Sequence, residues 1–212
     1  VSMADSSREI GAGRVSFLTE QQKQRVYDTA LGILSDVGMV ILHDEGERVM
    51  VEGGCTKDAD GLVHVPAALV ERARESVPAS FVVYDRHGEP AMDLGGLRSY
   101  FGNGSDVMHL HDLETGERRL AALADVAEAA RLCDALPEID FVMSGAYPDG
   151  MEAGEAYPRQ FRAMIEATTK PLVMTAGGVG TVEPMWRMAC EVRGGAGALR
   201  EKPYFVMYNQ PV

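Results

Sequence analysis

The sequence predicts an α/β protein whose last ninety residues alternate short parallel strands with helices. Three continuous apolar runs each contain a Val-Met pair, as is typical of strands that are covered on both faces. The pairs begin at Val142, Val173 and Val206, so the pattern repeats after 31 and then 33 residues. One strand and one helix occupy about this length, and we therefore expect parallel strands joined by crossover helices.

This repeat length fits two architectures. A (β/α)8 TIM barrel of about 250 residues divides into eight units of about 31 residues. A doubly wound open sheet is built from similar units, and three units do not separate the two architectures by spacing. In both of them the functional site lies at the carboxyl ends of the strands.

The chain divides into segments of different character. The predicted segments are a flexible tail (1–17), an N-terminal helical region with a β-hairpin (18–80), β-hairpins or strands that lead into the βα repeats (81–120), and the first βα units (121–212). In the helical region, Thr19 and Gln22 form a capping box, and Gly38 is the expected stop of that first helix. The tail has no basic or apolar region typical of a signal peptide, which favours a cytoplasmic location.

The composition excludes several classes of function. The formal net charge is −12, opposite in sign to what phosphate-backbone binding requires, so we expect no nucleic-acid partner. No apolar run approaches the roughly 20 residues that cross a bilayer, so we expect no membrane partner. Cys55, Cys133 and Cys190 lie far apart, and the His109 and His111 pair lacks a third ligand at fixed spacing. We therefore predict no metal site.

Polar side chains follow each apolar strand, where a ligand would bind. Ser144, Thr175 and Tyr208 are the first examples. The register is open, because one face carries Ser144, Thr175, Tyr208 and Gln210, and the other carries Met143, Met174, Met207 and Asn209. The glycine-rich segment Gly177–Thr181 precedes a helix and could form a backbone anion site.

The segment RSYFGNGSD combines aromatic, glycine and acidic residues before the repeats begin. Its glycines allow close approach of a ligand or a sharp bend in the backbone. Tyr100 supplies an aromatic wall and Asp106 a carboxylate, with Asn103 between them. An aromatic face with one carboxylate suits a quaternary or protonated amine through cation–π attraction and a counter-charge.

Several linked segments resemble the trimethylamine methyltransferase family, which includes corrinoid-dependent enzymes acting on methylamines and betaines. The segments are HDEGERVMVEGGCTKDADGLVHVPAALVERARESVP, VVYDRHGEP, YFGNGSD, DLETGERRLAALADVAEAARLCDALPEIDFV, ATTKPLVM and YNQPV. The resemblance runs from about Leu18 to the end of the chain. It implies a TIM barrel, of which this chain would hold the first part, since family members are about twice as long.

The resemblance also implies a function. The expected reaction moves a methyl group from trimethylamine or a quaternary amine such as glycine betaine to a corrinoid (cobalamin) carried by a partner protein. The expected partners are that corrinoid protein and the small amine, with homo-oligomer formation left open. In this site Tyr100 and Asp106 would lie near the cationic head, and Asn103, Asn209 and Gln210 would be polar anchors. Tyr208 would stand at the pocket mouth.

Two other functional interpretations of the sequence stay open. A different TIM-barrel enzyme could use Gly177–Thr181 as a phosphate site. Alternatively, the chain could be a non-catalytic fragment that acts as an interaction module. Neither reading depends on the family resemblance.

Overall fold

The computed structural model of the chain describes residues 16–208. It confirms a mixed α/β protein of helices and small sheets. The described residues fall into two compact units, residues 16–79 and residues 80–208. Within residues 16–208 no helix is long and apolar enough to cross a membrane.

The first unit consists of helices around a small hairpin. Its elements are α1 (Glu20–Gly32), a π-helix (Ile33–Val37), α2 (Asp44–Glu52), β1 (Thr56–Lys57), β2 (Val63–His64) and α3 (Ala67–Ser76). The predicted capping box starts α1, since the Thr19 hydroxyl accepts from the Gln22 N–H at 3.2 Å and Gln22 Oε1 accepts from the Thr19 N–H at 2.8 Å. Gly38, with φ 77°, ends the helical run. Cys55, Val63 and Val65 form the core of this unit.

The second unit begins with two antiparallel hairpins. The strand β3 (Ser80–Tyr84) pairs with β4 (Pro90–Gly95), and β5 (His109–His111) pairs with β6 (Arg118–Leu120). The turns contain Gly88 and Gly116 at φ 93° and 71°, a conformation that glycine adopts without steric cost. Antiparallel hairpins were predicted for this part of the chain from its alternating pattern.

Helices and parallel strands follow. They are α4 (Leu123–Ala135), α5 (Ala153–Ala167), β7 (Leu172–Thr175), α6 (Val179–Arg193), α7 (Ala196–Glu201) and β8 (Phe205–Tyr208). Along the chain, α4 packs on α5 and α5 packs on α6. Parallel pairing follows sequence order too: Gly102 pairs with Phe141, Val142 with Leu172, and β7 with β8. Residues 16–208 form two-stranded sheets and bridges, with no closed barrel among them.

The core of this unit decides the register that the sequence left open. Met174 is buried and Met207 packs against the same core beneath the helices, together with Phe161, Met164, Leu172 and Met185. Because side chains alternate along a strand, Thr175 and Tyr208 face the opposite side of the β7–β8 pair.

The strand predicted around Val142 is shorter than its apolar run. Only Phe141 and Val142 form bridges there. Beyond them the backbone bonds to a loop instead of a strand, with the Gly145 N–H donating to Gly104 O at 3.0 Å and the Tyr147 N–H to Val107 O at 3.0 Å. This loop contains the residues that the sequence had marked as a ligand site.

Candidate functional site

Asp106 is held at the carboxyl ends of two neighbouring parallel segments. The Ser144 hydroxyl donates to Oδ1 and the Thr175 hydroxyl donates to Oδ2, each at 3.1 Å. Ser144 Oγ also accepts the Asp106 N–H at 3.1 Å. Asp106 has φ 56°, a left-handed conformation that Asp tolerates better than most residues. The carboxylate is therefore fixed by partners on both of its oxygens.

The loop that carries Asp106 is attached to the sheet by Asn103. Its Oδ1 accepts the Met143 N–H at 2.8 Å, and its Nδ2 donates to Met143 O at 3.0 Å. The side chain thus replaces one residue of a strand, bonding to both backbone groups of Met143. Just before it, Gly102 lies so close to Phe141 that a Cβ atom there would be 2.3 Å from a ring carbon.

Two tyrosines near the same strand ends form an aromatic corner. The rings of Tyr147 and Tyr157 meet edge to face, with centroids 5.9 Å apart and an interplanar angle of 76°. The Tyr157 ring also lies against Gly177, where a Cβ would be 3.5 Å from Cε2. Burial, then the negative charge of Asp106, raise the pKa of Tyr157, so its phenol stays neutral.

The structure places the predicted site residues in different surroundings. Asn103 and Asp106 lie together at the strand ends. Tyr100 lies against strand β4 instead, where its hydroxyl accepts the Asp93 N–H at 2.9 Å and donates to Asp93 O at 3.2 Å. Tyr208 ends β8 beside Thr175 and is 52% exposed. Asn209 and Gln210 lie outside the described residues.

Sequence reasoning missed Tyr157, which belongs to a helix and not to a strand end. Its position near the start of α5 brings its ring against Gly177, two residues beyond the end of β7. The available signal was an aromatic residue in the first two turns of the helix that follows Tyr147, because such turns lie near the carboxyl ends of neighbouring strands.

In the glycine-rich segment Gly177–Thr181, the Thr181 hydroxyl bonds to a backbone N–H that an anion would otherwise use. The Gly177 N–H donates to the Thr181 hydroxyl at 3.1 Å, and that hydroxyl donates to Gly178 O at 2.7 Å. A cleft of about 750 Å³ lies alongside. Its lining residues are Ala176, Gly177, Gly178, Val179, Val182, Glu183, Trp186 and Met207. This lining is apolar and acidic, which suits a phosphate poorly.

Neither histidines nor cysteines form a cluster that would bind a metal. Within residues 16–208 no group of three or more His, Cys, Asp and Glu side chains could hold a metal ion. His109 and His111 are exposed on β5. Cys133 is buried, and burial raises the pKa of its thiol, so it remains an unreactive thiol at neutral pH.

Comparison with known proteins identifies the family. Residues 3–210 match the model of the trimethylamine methyltransferase (MTTB) family. The chain is 29% identical over 203 residues to trimethylamine methyltransferase MttB of Desulfitobacterium hafniense strain DSM 10664 / DCB-2, covering 95% of this chain and 41% of that protein. It is 26% identical over 196 residues to the glycine betaine methyltransferase of Desulfitobacterium hafniense strain Y51, covering 91% and 40%.

A third relative is the trimethylamine methyltransferase MttB of Methanosarcina barkeri, 27% identical over 135 residues, which cover 59% of this chain and 26% of that protein. The chain spans about two fifths of the length of the first two relatives. Because the family model matches nearly all of the sequence, the chain belongs to the trimethylamine methyltransferase family.

Proposed function

We propose that this chain is part of an enzyme that transfers a methyl group from a methylated amine to a corrinoid carried by a separate protein. Membership of the family and relatives named for trimethylamine and glycine betaine support this proposal. The observation that carries it is the carboxylate of Asp106, fixed by the Ser144 and Thr175 hydroxyls at the strand ends. Such a group attracts an alkylated ammonium ion.

The proposed scaffold is the first part of a (β/α)8 barrel. The parallel pairs follow one another in sequence order, and α4, α5 and α6 contact in the same order. A doubly wound sheet would instead reverse its strand order and place helices on both faces. Consecutive units that advance in one direction are the arrangement from which a barrel closes.

The chemistry asks little of this chain beyond binding and alignment. A reduced corrinoid supplies the nucleophile when its carrier protein docks. The chain must hold the methyl carbon in line with that nucleophile and exclude water. When a quaternary ammonium loses a methyl cation, the electron pair of the C–N bond stays on nitrogen and the amine leaves neutral. No residue need donate a proton in that step.

The side chains have distinct proposed tasks. Asp106 balances the positive charge of the substrate, and the Tyr147 and Tyr157 rings contact its methyl groups. Asn103 has its amide committed to Met143, so we assign it the task of holding the loop. The remaining proposed contacts are Tyr100 beside strand β4, Tyr208 at the end of β8, and Asn209 and Gln210 as polar anchors for a substrate carboxylate.

The test uses the full-length enzyme with its corrinoid protein. The visible spectrum of the corrinoid is followed after addition of trimethylamine or glycine betaine. Asp106→Asn should lower kcat/KM by about tenfold or more, since contacts to a charged group contribute about 1.5–3 kcal/mol. The matched control is Asp60→Asn, an exposed turn residue of the first unit. Equal activity of the two variants would reject the assignment of Asp106, and no methylation with either amine would reject the function.

A further inference from the structure

Four polar side chains around Asp106 are already committed to partners within the chain. The Ser144 and Thr175 hydroxyls donate to its two carboxylate oxygens. The Asn103 amide donates to Met143 O and Gly104 O, at 3.0 and 3.2 Å. The Tyr147 hydroxyl donates to Met151 O at 3.3 Å. A ligand therefore meets a fixed negative charge, while these four side chains have no donor left to offer it.

This commitment has a consequence for what can bind. A neutral ligand of the same shape gains no Coulomb attraction from a carboxylate. A quaternary ammonium ion presents only methyl groups and a diffuse positive charge, which a carboxylate and aromatic faces stabilise. The same surroundings thus favour the charged ligand over its neutral counterpart of equal shape.

We infer that Ser144 and Thr175 are positioning residues that hold the Asp106 carboxylate as a fixed negative charge, so that the site selects its ligand by positive charge. The inference rests on the proposed function for the ligand class, an alkylated amine. It adds which residues set the selectivity and by what physical means.

The two hydroxyls are suited to this task because they are themselves fixed. Thr175 is the last residue of β7, and its β-branched side chain has few rotamers in a strand. Ser144 is 4% exposed and bonds to both the backbone N–H and the side chain of Asp106. Without them, a carboxylate on a left-handed residue of a loop would be free to rotate toward water.

The test measures charge selectivity in the full-length protein by calorimetry. The probes are choline and 3,3-dimethylbutan-1-ol, which have the same shape and hydroxyl and differ in the charge of the central atom. Wild type should bind choline about tenfold or more tightly than the alcohol, as expected for a charge pair with aromatic support. Thr175→Val and Ser144→Ala should each lower this ratio about tenfold, since each removes a hydrogen bond to a charged group.

Two variants separate positioning from folding. Thr175→Ser keeps the donor and should keep the selectivity ratio, whereas a purely structural role for Thr175 predicts that Val, the closer shape, is tolerated better. Thr56→Val, on an exposed strand of the first unit, is the control for the substitution itself. Thermal unfolding establishes that each variant is folded.

Several results would overturn the inference. They are equal affinity for the two probes in wild type, absence of choline binding, and an unchanged ratio in Thr175→Val. The measurement needs neither corrinoid nor methyl transfer. If Thr175→Val lowers the preference for choline but the enzyme methylates no corrinoid, the proposed function is rejected and the inference is kept. If the enzyme methylates the corrinoid but Thr175→Val leaves the preference for choline unchanged, the inference is rejected and the proposed function is kept.

Discussion

Alanine at Gly102 should be far more damaging than alanine at Gly104, although both glycines flank Asn103. A Cβ on residue 102 would lie 2.3, 2.5 and 2.7 Å from three ring carbons of Phe141. Carbon atoms in proteins normally meet at about 3.5–4.0 Å, so the overlap exceeds about 1 Å. At Gly104 nothing lies within 4 Å of the added atom.

The cost can be estimated from this overlap. Overpacking of a well-packed site costs about 1–3 kcal/mol, because the ring or the backbone must shift. At Gly104 the backbone φ is not positive, so alanine should leave stability unchanged or raise it by about 0.4–1 kcal/mol through the unfolded state. In Gly102→Ala the shift also moves Asn103 and Asp106, so we expect weaker binding of an ammonium ligand.

Urea unfolding of both variants measures the difference, with the slope of the transition checked for constancy. The double variant Gly102→Ala with Phe141→Ala removes the ring that the methyl group meets. It should recover part of the loss, with a coupling free energy of about 0.5–3 kcal/mol. Equal stability of the two alanine variants, or strictly additive effects in the double variant, would refute the reasoning.

Three further predictions concern stability. Phe161→Ala should cost about 3–5 kcal/mol in urea unfolding, since that ring is fully buried in the core; a cost under about 1 kcal/mol would contradict it. The hydrogen bonds from Arg119 lower the pKa of Asp125, so this contribution to stability is complete above the unfolded-state pKa and is lost as pH falls through the folded-state pKa. Arg119→Met should make unfolding midpoints less sensitive to acid. The hydrogen bond to Asp58 raises the pKa of His64, so that contribution is complete below about pH 6.5, the unfolded-state value, and is lost as pH rises through the folded-state pKa. His64→Gln should abolish this loss in the same titration.

Much of the secondary structure was predictable because its signals are local. The capping box at Thr19 and the stop at Gly38 depend on neighbouring residues only, and both are present. The short strand at Val142 was mispredicted in length for the opposite reason. The backbone beyond Val142 bonds to the Asn103 side chain and to loop carbonyls some 40 residues away in place of a strand. The apolar pattern of the run carries no information about these distant partners.

The candidate site was predictable in its charge and less so in its aromatic wall. Asp106 stood out as a carboxylate in a glycine-rich segment, and the strand ends identified Ser144 and Thr175 as polar groups nearby. Tyr100 was the ring named from the sequence, and its hydroxyl is bonded to the backbone of Asp93. The aromatic corner near the strand ends comes from Tyr147 and Tyr157, because packing of α5 brings the Tyr157 ring against Gly177.

The two hydrogen bonds between the Asn103 side chain and the Met143 backbone also affect the rate and the entropic cost of ligand binding. A loop that closes over its ligand loses conformational freedom at the moment of binding, and association is slowed by the rearrangement. Here the Asn103 side chain bonds to both the N–H and the C=O of Met143, as a residue of a neighbouring strand would. The charge that meets the ligand is therefore ordered when the protein folds, so capture should proceed in one step without a slow closing phase.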